Sequence, residues 1–161
     1  MRSIAAAACM CLATASASAA GTVNVTFVES DTYFDAGNTK WDVPHNLRAL
    51  EEHLKALGHR YLPDGQVLDI SVIDIDLAGW MLPDPRFYPE QRRVAKGIND
   101  FPTIKLRYTL QAGDSPLKNG DETVADLDYL RRVITYRDSD PLYREKHMLD
   151  SWFRARFTSE Y

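Results

Sequence analysis

From Thr22 onward the apolar residues fall into short alternating runs interrupted by two stretches of helical spacing. Val23, Val25 and Phe27 alternate with Asn24 and Thr26, which predicts a first strand, and the polar stretch from Glu29 to Lys40 then reads as a loop. Leu47, Leu50, Leu54 and Leu57 recur at gaps of three, four and three. That is the stripe of an amphipathic helix, and Gly58 is expected to close it. Pro63-Asp64-Gly65 supplies a turn into a second strand from Gln66 to Leu77.

The second strand changes phase partway. Leu68, Ile70 and Val72 are apolar at even positions, whereas Ile73, Ile75 and Leu77 continue the pattern at odd ones. An uninterrupted strand would turn Asp74 and Asp76 onto the face of Leu68 and Ile70, an expensive burial. One extra residue restores a single apolar face, so a β-bulge is expected at Val72 and Ile73, with Asp69, Ser71, Asp74 and Asp76 sharing the other face. In the third strand Ile104, Leu106, Tyr108 and Leu110 alternate with Lys105, Arg107, Thr109 and Gln111. Its polar side is basic, so cross-strand ion pairs to the acidic side of the second strand are expected.

Asn119-Gly120 reads as a tight turn into a fourth strand, Glu122 to Leu127. In the last segment Asp140 can cap a helix and Pro141 suits its first turn, while Leu142, Leu149, Trp152, Phe153 and Phe157 form an apolar stripe. An aromatic stripe of this kind is expected to be core. The order β-α-β-β-β-α predicts an α+β two-layer sandwich: a mainly antiparallel four-stranded sheet with two helices on one face.

The segment before this domain follows a different logic. Met1-Arg2, an uncharged Ala-rich run to about Ala15 and then Ala17-Ser18-Ala19-Ala20 form the pattern of a secretory signal peptide. Cleavage after Ala19 is expected, with Ala20 the close rival, leaving 20–161 as a single domain. Export to the periplasm is the expectation, secretion the alternative. The apolar run is shorter than a bilayer requires, so no membrane span is expected. Both cysteines, Cys9 and Cys11, lie in the removed segment, so the exported domain would have neither disulfides nor thiol chemistry. Lysine and arginine number 19 against 23 acidic residues, and loss of Arg2 makes the balance more acidic. A nucleic-acid partner is therefore not expected.

Five ordered blocks carry a resemblance: Leu62-Pro63-Asp64-Gly65-Gln66, Asp74-Ile75-Asp76-Leu77-Ala78-Gly79, Pro102-Thr103-Ile104-Lys105-Leu106-Arg107-Tyr108, Asp126-Leu127-Asp128-Tyr129-Leu130, and the run from Glu145 to Phe153. Together they resemble an uncharacterised family of short exported proteobacterial proteins, domain of unknown function 3016. The resemblance spans nearly the whole mature chain and implies a periplasmic protein of a Gram-negative bacterium. It implies no activity or cofactor. The chain departs from the family pattern in its Pro-rich stretch from Met81 to Pro89 and at Phe101, where a tryptophan is expected.

Candidate chemistry is sparse. Asp74-x-Asp76 and Asp126-x-Asp128 each offer two hard oxygen ligands, on one strand face where the chain is extended, either for a metal-dependent or carboxylate-based hydrolase or for pairing with Lys105, Arg107, Arg92 or Arg93. The histidines show no His-x-x-x-His spacing, and no Gly-x-Ser-x-Gly elbow occurs. No metal or other cofactor is expected. The connection from Ala78 to Phe101 exceeds ordinary loop length and gathers Trp80, Phe87 and Tyr88 with Arg92 and Arg93, the residue types enriched where proteins grip partners. It is either a loop folded over the sheet or a partner surface. The preferred expectation is a non-catalytic binding or accessory module that uses this surface to hold another envelope protein.

Overall fold

In each central strand the apolar set falls on one side, and that side is covered by both helices. The computed structural model describes residues 20–37, 39–81, 92–93, 99–131 and 140–158. The expected signal peptide, residues 1–19, lies outside them. The elements are β1 (Thr22–Phe27), a short 3₁₀ turn (Ser30–Thr32), α1 (Asp42–Tyr61), β2 (Gln66–Asp76), β3 (Trp80–Met81), β4 (Arg92–Arg93), β5 (Thr103–Ala112), β6 (Ser115–Ala125) and α2 (Tyr143–Phe157). The main sheet has four strands in the order β1-β2-β5-β6, and β3 and β4 form a separate two-stranded ribbon. The α+β sandwich is as expected.

The sheet is mixed. β2, β5 and β6 are antiparallel neighbours, but β1 runs parallel to β2, Thr22 opposite Val67 and Phe27 opposite Val72. The cause is α1: a helix spanning 42–61 carries the chain back to the end of the sheet where β1 began, so the next strand leaves in the same direction. The phase slip in β2 is a bulge at the expected place. Val72 faces Leu106, Asp74 faces Lys105, and Ile73 is the extra residue. Leu68, Ile70, Val72, Ile75 and Leu77 consequently all enter one core with Ile104, Leu106, Tyr108 and Leu110.

Three local expectations are corrected. Gly58 does not close α1, which runs on to Tyr61 and ends with the Leu62 N–H on the Gly58 carbonyl at 2.9 Å. Gly58 instead lets the helix approach β1, since a Cβ there would lie 2.3 Å from Cγ2 of Val23. Asn119-Gly120 is not a turn. Ala112 pairs with Ser115, so the hairpin turns at Gly113-Asp114, with φ +56° at Gly113. A positive φ at the first central position alone matches a type II′ hairpin turn, which takes glycine there. Gly120 lies inside β6 opposite Tyr108, whose ring atoms would stand 2.7–2.8 Å from any Cβ. The missing side chain makes room for the ring. The fourth strand therefore begins at Ser115 and ends at Ala125 rather than spanning 122–127.

Around Tyr108 the C-terminal helix docks. Contrary to expectation, Asp140 is not its cap and Pro141 is not in its first turn: the helix begins at Tyr143 with Leu142 at the cap position. Asp140 lies just ahead of it, accepting the Leu142 N–H at 2.9 Å and pairing with Lys146 at 2.7 Å. Leu142, Leu149, Trp152 and Phe153 are buried, and Phe157 packs edge-on against Tyr108 at 5.3 Å between ring centroids. Glu122 of β6 gathers the contact: it accepts Trp152 Nε1 at 3.0 Å, Tyr108 OH at 3.1 Å and Arg156 Nε at 2.9 Å. Burial pushes its carboxyl up, but the Arg156, Trp152 and Tyr108 donors together outweigh burial and hold it below the ordinary glutamate value.

Replacing a helical glycine by alanine ordinarily stabilises by about 1 kcal/mol. At Gly58 the sign should reverse, because the added methyl meets Val23: Gly58→Ala is expected to lose about 1–3 kcal/mol in urea unfolding, the usual cost of overpacking. A gain in stability would contradict this close approach of helix and strand.

Candidate functional site

The bulge that keeps the aspartates out of the core also ends the pairing of β1. Val28 makes the last bond, its N–H on the Val72 carbonyl at 2.9 Å, and Glu29 then turns the chain away at φ 50°. After the 3₁₀ turn the chain returns to β2 beyond the bulge. The Asp35 N–H meets the Ile75 carbonyl at 2.9 Å and the Leu77 N–H meets the Asp35 carbonyl at 3.0 Å, a parallel bridge of Asp35 with Asp76.

Three successive residues are fastened there. Tyr33 donates its hydroxyl to the Val72 carbonyl at 2.8 Å, the Phe34 N–H donates to Asp74 Oδ1 at 2.9 Å, and Asp35 is in the bridge. Burial pushes the Tyr33 phenol up to about 12. The Phe34 side chain, between two pinned neighbours, is nevertheless 80% exposed. An apolar ring on a backbone held this firmly is preorganised for contact, because little ordering remains to be done on binding.

Phe34 stands between two depressions. One, of about 260 Å³, is lined by Phe34, Asp74, Asp76, Asn99, Phe101, Thr103 and Lys105. The other, of about 410 Å³, includes Asp31, Tyr33, Lys40, Val43 and Pro44. Asn99 and Phe101 close the long connection from β2 to β5, and its two feet meet where the Gly79 N–H donates to the Asp100 carbonyl at 3.0 Å. The connection expected to carry a partner surface begins and ends here. Trp80 and Arg93 face each other across the β3–β4 ribbon and Arg92 pairs with Met81. Phe87 and Tyr88 lie outside the described residues.

The acidic residues do not form one site. Asp74 and Asp76 line the first depression. Asp126 sits on the other side of the sheet, in a cleft shared with Met148, Ser151 and Trp152 of α2, where its Oδ1 accepts the Asp128 N–H at 3.2 Å. Asp128 itself is exposed, with Arg131 at 3.7 Å. Among the described residues no group of three or more His, Cys, Asp or Glu side chains is placed to hold a metal ion.

Asp74 is engaged at both oxygens, by the Phe34 N–H and by Lys105 Nζ at 3.0 Å. Burial pushes its carboxyl up, and the Phe34 and Lys105 donors outweigh that, leaving it below the ordinary aspartate value. It stays ionised and is a weak base, so its chemistry is that of an anchor. The Asp74–Lys105 pair is the cross-strand ion pair expected between β2 and β5. Farther along the open face Asp69 accepts Asn24 Nδ2 at 2.8 Å and Gln111 Nε2 at 3.3 Å, and Arg107 pairs with Asp121 at 2.8 Å.

Sequence reasoning missed Phe34, and with it Trp41, 75% exposed. The signal was present: two aromatic residues, Tyr33 and Phe34, interrupt the polar stretch from 29 to 40.

Fold and site define a small mixed-sheet α+β domain with one sheet face open to solvent and an aromatic outpost at one end of β2. The family model described as protein of unknown function (DUF3016) matches residues 21–155, and the chain belongs to that family. No curated protein and no solved structure matches it. Among the described residues no helix is long and apolar enough to cross a membrane.

Because the folded-state pKa of Asp74 is lowered, the stability it contributes is present above the unfolded aspartate value and is lost as pH falls through the folded one. The Phe34 amide resonance should therefore titrate with a midpoint below 3.8, the unperturbed value. In Asp74→Ala that titration should vanish and amide exchange at Phe34 should rise by about tenfold at neutral pH, the equivalent of one hydrogen bond to a charged acceptor. A midpoint above 3.8 would overturn the anchoring role.

Proposed function

We propose that this domain is a non-catalytic binding or accessory module of the bacterial envelope, exported by residues 1–19 and holding another envelope protein at the Phe34 end of its sheet. The observation that carries the reading is the 80% exposed Phe34 ring on a backbone tied at Tyr33, Phe34 and Asp35. Water gains nothing from an exposed phenylalanine held in place by three ties, whereas a partner protein with an apolar pocket gains an anchor whose ordering cost is already met.

The surroundings support the same reading. Depressions on both sides of Phe34 offer polar rims, with Lys40 and Lys105 beside Asp31 and Asp76, the mixture of apolar centre and charged border common where proteins meet. The two feet of the connection from 78 to 101, which carries Phe87 and Tyr88 in sequence, stand at the first depression. Export is supported by the signal-peptide pattern and by a family match that starts at residue 21, beside the expected cut. Asp74, in the first depression, is committed to the Phe34 backbone.

A photo-crosslinking side chain in place of Phe34, in protein exported from its own leader, is expected to trap one discrete envelope protein. The same group in place of Leu117, exposed at the hairpin end of the sheet, should trap none. Phe34→Ala should abolish co-purification of the trapped protein while leaving unfolding stability within about 0.5 kcal/mol, as for a surface change. Equal trapping at both positions, or co-purification unaffected by Phe34→Ala, would overturn the proposal.

A further inference from the structure

The two edges of the four-stranded sheet are built differently. β6 is guarded against another strand: Pro116 lacks a donor, Leu117 is the unpaired residue of a register shift between Leu110 and Gln111, and Lys118 and Glu122 bring charges onto the helix-covered side. These are the devices by which sheet proteins blunt an edge. β1, Thr-Val-Asn-Val-Thr-Phe, has none of them. It carries no charge and no proline, and four of its six residues are β-branched.

The ladder shows which main-chain groups of β1 remain available. Phe27 is opposite Val72, and the N–H of the following residue, Val28, bonds the Val72 carbonyl. In a parallel pair alternate residues bond to one neighbour, so Thr22, Asn24 and Thr26 face β2 while Val23, Val25 and Phe27 direct N–H and C=O away from it. Among the described residues, no hydrogen bond reaches the main-chain groups of Val25 or Phe27 on that outer side.

We propose that the β1 edge is where two copies of this chain join, antiparallel about a twofold axis through Val25. The occupant is a second copy because the strand is complementary to itself. Val25 opposite its own copy and Val23 opposite Phe27 of the other place every outward-facing residue in a hydrogen-bonded pair. The same register sets Asn24 beside Thr26 on the open face and keeps the valines and phenylalanine on the core side, so both layers of the sandwich continue across the seam. A neutral strand brings no like charges together at the seam. The seam is short, so association should be concentration-dependent rather than obligate.

The test is the mass of residues 20–161 in solution across a hundredfold range of concentration, by light scattering, with amide exchange read in the same samples. The expected result is a monomer passing to a dimer, with the Val25 and Phe27 amides slowing as the dimer fills. Val25→Pro removes an outward N–H and leaves the bonds to β2 intact, so it should remain folded and monomeric throughout. A monomer at every concentration overturns the proposal, as does a dimer in which Val25 and Phe27 exchange at the monomer rate. The exchange reading decides the matter even if Val25→Pro fails to fold.

Discussion

One extra residue in β2 governs the layout of this domain. Without Ile73 as the bulged position, the aspartates at 74 and 76 would turn toward the layer occupied by Leu68 and Ile70, and burying two ionised carboxylates there costs several kcal/mol each. With it, a single apolar face runs the length of the strand, and Leu106 and Ile104 meet Val72 and Ile75 across the ladder. The bulge has a second effect. It is the point at which β1 leaves and Asp35 returns, so Asp74 emerges where its carboxylate can receive the Phe34 N–H. A packing solution and a presented aromatic ring thus share one cause.

At the far edge of the sheet a second polar device serves the core. Glu122 sits on the helix-covered side of β6, a place that would be costly for an unpartnered charge, and is matched by Trp152, Tyr108 and Arg156. Gly120 clears space for the Tyr108 ring, and that ring stacks edge-on with Trp152 and Phe157. Strand, helix and edge protection are therefore coupled. The acidic residue that guards β6 from strangers is the one that fastens α2.

Much of this was legible from residue order because it rests on period. Strand alternation, the leucine stripe of α1, the aromatic stripe of α2 and the phase slip at Val72 and Ile73 all follow from which side chains must face water. The misreadings share a different character. Gly58 and Asn119-Gly120 look like chain punctuation, yet both glycines answer to a neighbour remote in sequence, Val23 in one case and the Tyr108 ring in the other. The direction of β1 depends on where a twenty-residue helix delivers the chain. Phe34 escaped notice because its importance lies in an exposed ring on a fastened backbone, and the fasteners, Val72, Asp74 and Ile75, lie some forty residues away. Asp74 and Asp76 were visible as a pair, but their separation from Asp126 by the thickness of the sheet was not.

The central claim is that Ile73 is an inserted residue, and cross-strand nuclear Overhauser contacts in the folded protein test it directly. The account predicts contacts of the Val72 backbone with Leu106 and of the Ile75 backbone with Ile104, a register that steps by one between the two pairs. An unbroken ladder, with Ile75 opposite Thr103, would contradict it and remove the reason Asp74 and Phe34 meet.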